Sequence, residues 1–281
     1  MANRTGHQSN YTQIVSIGKK LIFLLCNLRA DYRCMSYTPG YSENAVRFMQ
    51  RRSLKSHGAF ILPYLRDRQT ILDLGCGPGT ITVDIARLNQ NGRVVAVDRE
   101  SSQIEAAKTL AAARGIENIE FQIHDVTQIA PVEGSFDLIF SHALFEHLSE
   151  PITILREIRP RLSREGVIAL RCPDWGGMIL HPDTGLIQAV VRRYEEIQQS
   201  YGGDTRAGRK LHAWLSKAGY SVQQVSATCE VYPSSREIAR YLALQLTREG
   251  EAQHASNLLN WASHPESLFS QLWFEVIAKP I

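Results

Sequence analysis

Cysteine is scarce and irregular in this 281-residue chain. Its five cysteines, Cys26, Cys34, Cys76, Cys172 and Cys229, are odd in number, and no two make a CxxC pair. That argues against a disulfide framework and a structural zinc site, and a reducing, cytoplasmic setting is expected. No apolar run approaches the ~20 residues that a bilayer span requires. The most apolar early stretch covers only residues 21–26. Lys19 and Lys20 precede it, but no convincing small-residue cleavage site follows, so it reads as a short amphipathic helix. There is no internal repeat and no low-complexity segment. The dinucleotide fingerprint GxGxxG is also absent, which weakens a nicotinamide or flavin reading.

What is present is an ordinary globular composition, 44% apolar and 21% charged, large enough to bury a core unaided. The net charge of +3 hides an asymmetry: residues 1–68 carry 11 Lys+Arg against 3 Asp+Glu, and the rest carries 20 against 25. The basic arm is read as a solvated face, an anion clamp at Arg51, Arg52 and Lys55, or a weak contact with a membrane surface through the N-terminal segment.

Along the chain, residues 1–35 read as an appendage and 36–281 as one domain. Ser42 caps an expected helix over 43–55, and a second helical piece covers 59–65. Short apolar strands (71–74, 93–97, 119–123, 136–141 and 166–171) then alternate with helices at 80–89, 103–114 and 152–162. Such alternation predicts an α/β fold with a mostly parallel, doubly wound sheet. Helices at 183–200 and 206–218 precede two further strands, 221–231 and 269–278, separated by one long helical insert, 234–261.

The chemistry is concentrated at the strand ends. Asp73-Leu-Gly-Cys-Gly-Pro-Gly79 joins a strand to a helix, and its glycines let the backbone turn tightly against a ligand. Asp98, about 20 residues later at the end of the second strand, can accept both hydroxyls of a ribose. Asp125 follows the third strand and can accept from an adenine amine.

Together these motifs, with FDLIFSHALFEHL and LRCPDWGG, resemble the class I S-adenosylmethionine-dependent methyltransferases. The likeness runs over about residues 37–280 and is nearest to the ubiquinone/menaquinone-biosynthesis-like group acting on small metabolites. It implies a Rossmann-like seven-stranded sheet whose last strand is antiparallel, with a helical cover from 36–65, 178–205 and 234–261. It further implies that Asp73, Gly75, Cys76, Gly77 and Gln103 line the cofactor. Asp98 would hold the ribose, with Arg99 beside the adenine. Asp125 and Val126 would face the adenine edge, Ser141 and His142 would lie under the methionine portion, and Tyr37 and Arg52 would close over it.

His147 is the candidate general base, or else it orients a loop. Glu146, Asp174, Trp175, Tyr232 and Trp261 are the candidate substrate contacts, although capping explains Asp174 equally well. Trp214 and Trp273 are read as core. No metal is expected, because the fourth strand ends in Ser141-His142 rather than an acid. The acidic body, and the lack of an NPPY tetrapeptide, argue against nucleic acid. The expectation is methyl transfer to a small molecule by a monomer or homodimer. The rivals are a non-catalytic cofactor-binding partner and a protein or nucleic-acid methyltransferase.

Overall fold

A computed structural model of the chain describes residues 43–128 and 132–281. The expected appendage at 1–35, its membrane contact, the Ser42 cap and Tyr37 lie outside the described residues. Among the described residues no helix is long and apolar enough to cross a membrane.

Seven strands form one sheet in the order β3-β2-β1-β4-β5-β7-β6. They are β1 Thr70–Leu74, β2 Arg93–Asp98, β3 Ile119–Ile123, β4 Phe136–His142, β5 Leu162–His181, β6 Tyr220–Val231 and β7 Leu268–Pro280. The first five run parallel, and β7 is antiparallel to both β5 and β6. Between them lie α3 Thr80–Leu88, α4 Ser101–Ala113, α5 Pro151–Ile158 and α7 Ala207–Lys217; α1 Glu43–Met49 and α2 Leu54–His57 precede β1. The near-continuous apolar run of β1 is buried because helices cover both faces of the sheet.

Three boundaries differ from the sequence expectation. The first helix stops at Met49, and a new turn starts where the Ser53 hydroxyl accepts from the Ser56 amide; a capping serine outcompetes continuation. Strand β5 runs to His181 rather than Arg171. It passes Pro173 and Gly176-Gly177 through a shift in register between Asp174 and Ile179, because a bulge absorbs residues that otherwise punctuate a strand. The long insert is two helices, α8 Ser235–Arg248 and α9 Ala252–Ser263, parted by a turn in which the Glu251 amide donates to the Leu246 carbonyl at 2.8 Å.

The cover has a core of its own. Helix α6, Gly185–Ser200, packs with α8 and α9 through Ile187, Val190, Tyr194, Leu242, Leu246 and Leu258, and Phe48 of α1 joins them. Thr184 caps α6 by accepting from the Ile187 amide. These segments stand over one end of β5, β6 and β7, because Leu180, Tyr232 and Phe269 belong to the same cluster.

Candidate active site

The tight turn after β1 is built before any ligand is considered. The Gly75 and Cys76 amides both donate to the Val97 carbonyl of β2, at 2.9 and 3.0 Å. Gly77 and Gly79 have positive φ, +55° and +76°, which costs an L side chain ~1–2 kcal/mol. At Gly79 a Cβ would also lie 2.7 Å from Ala107 Cβ of α4, so this glycine sets the close approach of helix and loop. At Gly77 a Cβ would meet nothing within 4 Å; there the bare backbone faces open space.

Asp98 ends β2 beside this turn. One carboxylate oxygen accepts from the Gly77 amide at 2.9 Å and the other from the Glu100 amide at 3.0 Å. Burial pushes its pKa up. The same residue thus shapes the loop and keeps lone pairs for a ligand. The His124 amide donates to the Asp98 carbonyl at 2.9 Å, so the exit of β3, with Asp125 and the buried Val126, lies next to Asp98. Asp125 Oδ1 accepts from the Thr127 amide and hydroxyl. Gln103 sits one turn before Ala107 on the face of α4 that meets the loop. It is buried, and neither end of its amide has a partner, a costly state that a ligand would relieve.

Asp73, read as a cofactor residue, is instead buried beneath the turn, where it accepts from the Thr82 hydroxyl at 2.6 Å. Burial raises its pKa to about 7. Ser141 donates to the Leu74 carbonyl at 2.9 Å and so ties β4 to β1. The peptide then takes a strained turn at Ala143, φ +56°. That turn lays Leu144 against Gly75 and carries Glu146 and His147 on a short 3-10 turn over the same end of the sheet.

Burial holds the His147 imidazole down to about 3, with Arg99 and Arg52 adding to the effect, whereas burial lifts the neighbouring Glu146 carboxyl to about 7. Glu146 Oε2 has no partner. An imidazole whose conjugate acid is held near 3 binds a proton too weakly to serve as a base; a carboxyl poised near 7 suits that task better.

The candidate substrate contacts separate. Tyr232 is buried against Phe48 and Phe269, near Arg52 and Glu230. Asp174 is fully buried and committed: it accepts from Arg209 Nε and Nη2 at 2.6 and 2.8 Å and from the Gly176 amide. Trp175 stacks on Tyr194, and Trp261 donates to the Pro182 carbonyl at 2.8 Å; both serve the cover's core. Arg52, expected at the cofactor, has its guanidinium 5.9 Å from the ring centre of Trp273.

Trp273 is buried as expected, but among polar groups rather than apolar ones. His142, another expected cofactor contact, stacks on it at 5.0 Å and Arg171 at 4.4 Å. With His57, Glu230 and Glu275 these residues form a buried polar cluster that the sequence reading missed. An arginine and a glutamate at alternating inward positions of otherwise apolar strands were the available signal.

A family model described as a methyltransferase domain matches residues 65–230, more than half of the chain, and the chain belongs to that family. The protein named as a probable methyltransferase, ltbC, from Aspergillus luteorubrus is 32% identical over 145 residues, 48% of this chain and 51% of its own length. The chain thus spans about half of that relative. A malonyl-[acyl-carrier protein] O-methyltransferase of Bacillus cereus is 33% identical over 177 residues, 61% of each chain. The solved structure of a SAM-dependent methyltransferase from Aquifex aeolicus superposes with a TM-score of 0.51 at 15% identity, covering 84% of this chain and 99% of that one. Family and fold together are those of the class I S-adenosylmethionine-dependent methyltransferases. The quinone-biosynthesis group is not singled out.

Proposed function

We propose that this chain transfers a methyl group from S-adenosylmethionine to a small-molecule acceptor. The observation that carries this reading is the junction of Gly77 with Asp98, where a bare glycine facing open space is pinned at 2.9 Å to a half-buried carboxylate. The orphaned amide of Gln103 on the same side supports the fit of an adenosyl nucleoside. Asp98 would take the ribose hydroxyls, the Gly75–Gly77 backbone the portion beyond the ribose, and Asp125 with Val126 the adenine edge. The cofactor, when bound, supplies an electrophilic methyl group on a sulfonium.

The remaining work falls to the chain's own residues. Glu146 is the proton acceptor in this reading, at Oε2, for an acceptor group that must lose a proton; His147 next to it remains neutral and positions the turn. The cover of α1, α6, α8 and α9 excludes water and orients the acceptor. The experiment is to incubate the protein with methyl-labelled S-adenosylmethionine and a panel of small acids, amines and phenols. Label transferred to a panel member supports the reading; cofactor binding with no transfer to any member would favour a non-catalytic partner protein.

A further inference from the structure

Strand alternation puts Phe140 and His142 of β4, Ala169 and Arg171 of β5, and Ile277, Glu275 and Trp273 of β7 on one face of the sheet. Phe140, Ala169 and Ile277 belong to an apolar core. One step further along each strand the same face becomes His, Arg, Glu and Trp. Burying such groups is costly unless they are matched.

Part of the cluster is matched internally. Arg171 donates through Nε to Glu275 at 3.1 Å, through Nη1 to His142 Nε2 at 2.7 Å and through Nη2 to the Thr228 hydroxyl at 3.3 Å. Glu275 also accepts from the Ser226 hydroxyl at 3.1 Å. What remains is a surplus of donors. A guanidinium can only donate, so His142 Nε2 is the lone-pair nitrogen and the ring proton sits on Nδ1. That N–H is buried without a partner among the described residues, and so is the indole N–H of Trp273. Half-buried Arg52 completes the set, with its guanidinium over the indole and no ion pair among the described residues. The orphan acceptors among the described residues that Arg52 acts on are Glu146 Oε2 and Glu230 Oε2; the Oε1 of Glu230 is 3.3 Å from His57 Nε2.

We propose that this cluster receives a carboxylate of the methyl acceptor, with Arg52, His142 and Trp273 as its donors. The inference rests on the methyl-transfer reading and names its substrate class. Arg52 is offset by Glu230, whose partner His57 burial keeps neutral, so the cluster holds no spare positive charge and suits a monoanion held by its N–H donors rather than a phosphate dianion. Glu230 Oε2 suits an N–H or O–H on the same molecule. The body of the acceptor is apolar, because Tyr232 lies two residues beyond Glu230, just past the end of β6, and stacks with Phe48, itself stacked on Tyr241 at 4.4 Å.

The cofactor's own carboxylate is the rival occupant, and the position of Trp273 favours the acceptor's. The cofactor's nucleoside contacts lie on β1, β2 and β3, whereas Trp273 lies three strands beyond β1 in the other direction, ~14 Å away at normal strand spacing.

Calorimetry on protein saturated with S-adenosylhomocysteine tests this with phenylacetate, its neutral twin phenylacetamide, and phenyl phosphate. Phenylacetate should bind about tenfold or more tighter than the other two. Trp273→Phe keeps the ring and removes the N–H. It and Arg52→Gln should each weaken phenylacetate about tenfold and leave phenylacetamide and S-adenosylhomocysteine within about twofold; Arg52→Lys should recover part of the loss. Equal binding of acid and amide, or no binding of either, overturns the carboxylate. So does a loss of S-adenosylhomocysteine affinity in Arg52→Gln, which would assign that guanidinium to the cofactor. Wild-type protein that ignores S-adenosylhomocysteine fails the methyl-transfer reading first and this one with it.

Discussion

Replacing Glu146 with Gln should separate the proton chemistry of the site from its architecture. Burial raises this carboxyl from its ordinary value of 4.5 to about 7. Between those values the unfolded chain has lost the proton that the folded protein still holds. Stability from this group is therefore full below about pH 4.5 and is lost as pH rises through 7. The loss amounts to about 3 kcal/mol. A glutamine of the same shape does not titrate, so Glu146→Gln should remove this falling component, leaving the variant's curve steeper upward than the wild type's by about 3 kcal/mol across the window. Asp73, also raised to about 7 by burial, and His147, held down by burial so that its contribution rises with pH up to its ordinary 6.5, keep their opposing slopes in both proteins, so the difference between the two curves isolates Glu146. Urea unfolding of both proteins at half-unit steps from pH 4.5 to 8 measures this directly.

The same carboxyl governs turnover with a protonated acceptor. Wild-type rate should climb through an apparent pKa near 7, and Glu146→Gln should lose roughly 10²-fold in kcat with cofactor affinity unchanged. Full activity in the variant, or an unaltered stability slope, would refute the assignment.

Two glycines two residues apart should respond differently. Gly79→Ala combines a positive φ with a Cβ 2.7 Å from Ala107, so denaturant unfolding should show a loss of ~2–3 kcal/mol. Gly77→Ala meets no neighbour and should cost only ~1 kcal/mol of stability; its methyl points where the nucleoside would lie, so S-adenosylhomocysteine affinity should fall further than stability does. Asp174→Asn breaks a buried pairing with Arg209 and should lower stability by about 2 kcal/mol or more with KM for cofactor and acceptor unchanged. An acceptor KM that rises alone would return Asp174 to the substrate.

The parts of this molecule that are local in sequence were the legible ones. The Gly loop, the acid two dozen residues on and the alternating strands each announce themselves within a few residues, and the antiparallel β7 follows once they are recognised. The polar cluster around Trp273 draws on residues from 52 to 275, and its strand members meet through register: Arg171 opposite Glu275, and Thr228 opposite Trp273. Read along the chain, Trp273 sits among Leu272, Phe274 and Val276 and looks like core. The roles of Glu146 and His147 were equally hidden. They are adjacent in sequence, and burial moves their affinities for protons in opposite directions, with Arg52 pulling both down. Trp175 and Trp261 illustrate the converse. Large aromatics near a strand end suit a pocket, yet Tyr194 and the Pro182 carbonyl already occupy them.

The central claim is that Asp98 and the glycine turn hold an adenosyl cofactor. Titrating S-adenosylhomocysteine into wild-type protein and into Asp98→Ala by calorimetry tests it most directly. Saturable one-to-one binding is expected for the wild type, weakened by about 2 kcal/mol, roughly thirtyfold, in the variant. Wild-type protein that takes up no heat, or a variant that binds as tightly, would contradict it.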